Sequence, residues 1–167
     1  MEEKEIKNLV KTWYGKSKFE QNPFSKFVFL WICFNAWISY KSDKPRDSDM
    51  IKWLIRQDAL TSDLISSYEN SKETEPFIRN LKTLANMPPI HDSRDGRKPI
   101  IIKDENDFRN IVKGIYRIRC NLFHGSKQYD NSRNLKLVMI SYRILEKWIG
   151  NMICDWNLDQ RSKSEHE

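Results

Sequence analysis

A chain of 167 residues with 39% apolar side chains, six of them Trp, eight Phe and six Tyr, can bury a real core as one domain, which excludes an obligately disordered chain. The excess of 29 Lys and Arg over 23 Asp and Glu, a net charge of +6, favours an anionic partner and is equally compatible with simple solubility. Three cysteines, Cys33, Cys120 and Cys154, are odd in number and widely spaced, which excludes a disulfide scaffold and a zinc site and fits buried thiols in a reducing compartment.

Glycine and proline are sparse, at five and six, and the apolar spacing is mostly helical, so the expected class is an all-α bundle. The start, Met1-Glu2-Glu3-Lys4-Glu5, is mostly acidic and lacks the pattern of a secretory leader. The longest apolar segment, 27–38, is too short to span a bilayer of about 30 Å. A soluble, cytoplasmic protein with no membrane partner is expected.

In chain order, residues 3–14 predict a first helix with Ile6, Val10 and Trp13 inward, and 15–23 a connection carrying the basic residues Lys16 and Lys18. Residues 24–41 are apolar almost all round, as in a helix at the centre of a bundle or one that gives a face to a second subunit. Asn35 within it needs hydrogen-bond partners, by bridging helices or by orienting a functional side chain. After a polar loop with Pro45, Asp47 or Ser48 caps a helix to about Gln57, and short helical pieces follow over 59–68 and 76–86.

Residues 87–103 are the least bundle-like. Pro88-Pro89, the Asp95-Gly96 turn and Ile100-Ile101-Ile102 predict a loop or short β insertion, with Arg94, Arg97 and Lys98 available to phosphates or simply exposed. The chain then enters a long helix over 104–125, with Ile111, Ile115, Ile118 and Leu122 as its core stripe, Asn106 or Asp107 as cap and Gly125 as stop. A polar turn leads to a final helix over 132–156, with Leu135, Val138, Met139, Tyr142, Leu145, Ile149 and Ile153 recurring at helical spacing. Residues 157–167 are expected to be a polar tail.

At about 100° per residue, Arg117, Asn121 and His124 share one side of the 104–125 helix, opposite the isoleucine stripe, while Arg119 stands roughly 140° from His124. Two arginines, an amide and an imidazole beside a glycine stop form the candidate site, against the plain alternative of a solvated face with a histidine near the helix end.

The stretch Arg117-Ile-Arg119-Cys120-Asn121-Leu-Phe123-His124-Gly-Ser-Lys127 resembles the signature of the HEPN superfamily, the higher-eukaryote and prokaryote nucleotide-binding helical domains, in which an arginine precedes a histidine by four to six intervening residues. The aromatic helix around Trp31, Phe34 and Trp37 also resembles the corresponding segment of small prokaryotic members. Residues 1–156 would then form one HEPN-like bundle with long antiparallel core helices.

The resemblance implies a metal-independent endoribonuclease without cofactors. It would be a toxin or antiviral effector, active on RNA as a homodimer and paired with an antitoxin or defence partner. It implies His124 as general acid or base, Arg119 on phosphoryl oxygens, Asn121 as orienter, Arg117 as a second phosphate contact or the principal arginine, and Lys127 as a nucleic-acid contact. Cys120 stands directly after Arg119, where the family commonly carries Asn, Asp or His, and the amide follows one residue later. A non-catalytic RNA or nucleotide binder and a helical scaffold are the competing readings.

Overall fold

The computed structural model describes residues 2–57, 74–92, 98–123 and 132–164, with backbone alone at Thr74 and 157–164. Among them are six helices: α1 Glu3–Phe19, α2 Pro23–Ser42, α3 Asp47–Leu54, α4 Thr74–Ala85, α5 Phe108–Phe123 and α6 Ser132–Ser164. The fold is all-α, and the described residues contain no strand beyond a single antiparallel bridge between Ile90 and Ile100. The short helix expected over 59–68 lies outside the described residues. No described helix is long and apolar enough to cross a membrane.

Local chemistry sets the helix ends. Asn22 accepts the amides of Phe24 and Ser25 while Pro23 occupies the first turn of α2, and Asp43 closes that helix in the left-handed region at φ 51°. The expected break at Gly15 is absent: α1 runs on to Phe19, with Ser17 fully buried and its hydroxyl donating to the Tyr14 carbonyl. A mid-helix glycine costs about 1 kcal/mol, and the last turn beyond it is held by the buried Ser17 and by the Lys18–Glu146 ion pair at 3.1 Å. α3 stops at Leu54, short of the expected Gln57, and α6 continues as helix to Ser164 through most of the expected tail.

The core is assembled around α2, which packs against α1 and α6. Trp148 of α6 gathers Phe34, Trp37 and Phe108 around it at ring separations of 5.2, 6.2 and 5.2 Å, joining α2, α5 and α6 in one aromatic cluster. The inward face of α6 is Leu137, Val138, Ile140, Ile144, Leu145, Trp148 and Ile149, which keeps Val138, Leu145 and Ile149 of the expected set, with Tyr142 and Ile153 packed at its margin. Leu135 and Met139 instead line a surface groove against α4. α6 is apolar over a wide arc, and spacing alone does not choose between adjacent stripes.

Candidate functional site

The isoleucine stripe of α5 is buried as expected, with Ile111, Ile115 and Ile118 all in the core. Of the two candidate caps it is Asp107 that starts this helix: its carbonyl accepts the amides of Asn110 and Ile111, and its carboxylate accepts Asn110 Nδ2 at 2.8 Å and the Lys103 amide at 3.0 Å. Burial pushes the Asp107 carboxyl up, but these hydrogen bonds to its charged form outweigh burial and hold it below its ordinary value.

The opposite side of α5 is not open. Residues 88–92 lie across it, pinned at several points. The Ile90 and Ile100 amides exchange hydrogen bonds of 2.9 and 3.0 Å, and Arg133 of α6 donates to the carbonyls of Pro88 and Pro89. Gly114 makes room for this covering, because a Cβ there would stand 3.0 Å from Ile90 Cδ1 and 3.3 Å from Ile102 Cδ1.

Two candidate catalytic residues are used in that attachment. Asn121 is 5% exposed and donates from Nδ2 to the His91 carbonyl at 2.9 Å. Arg117 places Nε 3.4 Å from Asp92 Oδ2, with 14% of the arginine side chain and 1% of the aspartate side chain exposed. The space left among Ile90, Asn121, Arg133 and Leu137 has room for about one water molecule. The expectation of a polar, open side to this helix is therefore corrected at both residues.

Arg119 takes the other direction, as two residues of α-helix, about 200°, require. Its Nη2 meets Asp47 Oδ2 of α3 at 3.0 Å, and its guanidinium lies 5.7 Å from the Trp31 ring and 4.8 Å from the Phe123 ring. The side chain keeps 27% of its surface exposed, and Phe123 is 54% exposed. Beside them runs an apolar groove whose walls include Leu9 of α1 and Val28, Ile32 and Ala36 of α2.

Asn35 also lines that groove, half-buried, together with Arg119 and Phe123 of α5. Beneath Arg119, Tyr116 stacks on Trp31 at 6.0 Å and bonds Cys120; burial first, then that contact, push its phenol up to about 12.

No family model, curated protein or solved structure matches the chain. The geometry of its own residues therefore carries the functional reading. His124, Lys127, Arg94 and Arg97 lie outside the described residues, and Lys98 is exposed beside the Ile90–Ile100 bridge. Sequence reasoning missed Asp92 as the partner of Arg117, Asp47 as the partner of Arg119, and Phe123 as a surface aromatic. Only Phe123 left a signal: it stands four residues after Arg119, on the same helix face.

Proposed function

We propose that the chain is a HEPN-type, metal-independent endoribonuclease of the cytoplasm, with Arg119 as its phosphate-binding arginine and His124 as its proton-transfer group. The observation that supports this reading is the placement of Arg119. Of the two described motif arginines it is the more exposed, braced by Asp47 and two rings, and it lines an apolar groove five residues before His124 in the chain.

In the reaction, a ribose 2'-oxygen attacks the adjacent phosphorus and gives up its proton to a base. The bond from phosphorus to the 5'-oxygen breaks, and that oxygen takes a proton. The products are a 2',3'-cyclic phosphate and a 5'-hydroxyl. An imidazole exchanges protons near neutrality, and a guanidinium fork matches the phosphoryl oxygens that gain charge. Arg117 and Asn121 act in this scheme as positioning residues, since both are committed to residues 91–92.

One motif histidine per chain leaves a second proton-transfer group to be supplied by another copy. The groove of α1 and α2 beside Arg119 is the face this reading assigns to a homodimer. A toxin or defence effector of this kind would need a neutralising partner protein.

The test is cleavage of an RNA oligonucleotide by pure protein in EDTA. His124→Ala and Arg119→Ala should each abolish product while the helical circular dichroism stays unchanged, and a 2'-deoxy oligonucleotide should survive. Cleavage that persists at the wild-type rate in His124→Ala overturns the reading. The engagement of Arg117 and Asn121 favours one alternative, a non-catalytic RNA binder, for which the wild type would bind RNA in EDTA and yield no product.

A further inference from the structure

A second surface, sharing no residue with the Arg119 groove, runs between α4 and α6. It consists of two adjoining depressions that meet at Asn80 and Arg143. Cations line it throughout: Lys18, Arg79, Lys136, Arg143 and Lys147. Glu146 is the one carboxylate among the described lining residues, and it is held by Lys18 at 3.1 Å and Lys26 at 3.4 Å. Its charge is therefore already met.

The remainder of the lining mixes polar side chains with apolar ones, Phe77, Leu135 and Met139 among them. Asn80 and Asn151 offer donors, and Tyr14 forms a wall, its hydroxyl lying where a Cβ on Gly150 would come within 2.7 Å. From Ser132 to Cys154, both lining residues of α6, a helix rises about 33 Å. That length exceeds a single phosphate site and falls within the range of grooves that follow a single strand over several nucleotides.

We infer that the groove between α4 and α6 is a track for the backbone of single-stranded RNA. The observation behind it is five cations along one helix-length groove, of which Lys18 meets the one described lining carboxylate, Glu146, and Arg79 meets Glu75 at 3.1 Å. The inference rests on the ribonuclease reading for the choice of RNA, but not for the site. The track contacts phosphates and ribose without reading bases, so it sets affinity and the length of RNA engaged, while Arg119 lies elsewhere on the surface.

The test uses a 5'-labelled twelve-nucleotide oligouridine and the full chain carrying His124→Ala to prevent turnover, with anisotropy followed across a salt series in EDTA. Binding to a single strand loses a salt slope of about 0.7 for each phosphate contact removed. The pair Lys136→Gln and Arg143→Gln, at exposed positions, should lower the slope by about 1.4 and weaken binding about 25-fold in 0.1 M salt. An equally exposed control pair, Lys4→Gln and Lys44→Gln, should leave both unchanged.

A slope identical to that of the parent, an equal loss in the control pair, or no binding by the parent overturns the track. Intact cleavage that depends on Arg119, combined with an unchanged groove slope, removes the track alone. The expected slope loss in a chain that never cleaves RNA removes the ribonuclease reading and leaves the track standing.

Discussion

Arg117 and Asp92 form an ion pair that is nearly withdrawn from water, the carboxylate at 1% exposure and the guanidinium at 14%. Removing one partner of such a pair weakens the compensation of the other, which stays charged and buried, a loss of up to about 3 kcal/mol. Arg117→Ala should therefore shift the urea midpoint down without changing the slope of the transition. The double variant Arg117→Met with Asp92→Leu should recover most of that loss. A residue needed only for phosphate binding would show the reverse, lost activity at unchanged stability.

The arginine two residues on should behave differently. Arg119 and Asp47 are each about a quarter exposed, and pairs of that kind contribute under about 1 kcal/mol. Asp47→Asn should leave the melting curve nearly in place while freeing the guanidinium from its brace. Under the ribonuclease reading, RNA cleavage should then fall at least several-fold, as measured by product gels under single-turnover conditions.

Gly114 and Ile90 should prove energetically coupled. Alanine gains about 1 kcal/mol over glycine inside a helix, but its methyl group would press on Ile90 Cδ1 at 3.0 Å. Ile90→Val removes that carbon and by itself costs about 1 kcal/mol. In a Gly114→Ala background the same change should cost less or stabilise. Denaturant titration of the four proteins measures the interaction.

Thiol labelling gives a direct check on the packing of α2 and α5. Cys33 and Cys120 are buried and Cys154 is exposed, so the native chain should modify rapidly at one thiol and at all three after unfolding in guanidinium. Mass spectrometry of the peptide containing Cys154 identifies the fast site.

Alkaline pH should unfold the protein through two groups. Burial pushes the Cys33 thiol from 9.0 up to about 12. Burial and the Cys120 contact push Tyr116 from 10.0 up to about 12. Both groups lose their protons first in the unfolded chain, so they contribute stability that is intact below about pH 9 and is lost as pH rises toward 12. Tyr116→Phe should remove a tyrosinate that titrates near pH 12 from the ultraviolet absorbance curve.

Much of the fold was legible in residue order because helical periodicity is a local property. The stripe Ile111, Ile115 and Ile118, the Asp107 cap and the apolar α2 all follow from spacing and end chemistry within a few residues. What escaped was non-local. Nothing near Asn121 announces that the carbonyl of His91, thirty residues earlier, will take its amide proton. Periodicity put Arg117 and Asn121 on a polar side correctly but could not say what would cover it. The proposed preference for Arg119 over Arg117 rests on that covering, and on Asp47, which local reasoning had placed only as a possible helix cap.

The pinning of residues 88–92 has a dynamic consequence. Its attachments, the mutual Ile90 and Ile100 amides, the Asn121 bond and the Arg117 pair, are held by adjacent residues of one short segment. Releasing one leaves the others poorly aligned, so the segment should open as one cooperative unit and not fray from an end. Amide exchange at Ile90 and Ile100 should report a single opening free energy, lowered equally at both positions by Asn121→Ala. Such an opening would uncover the polar flank of α5 in one step and make the buried carboxylate of Asp92 momentarily accessible to solvent.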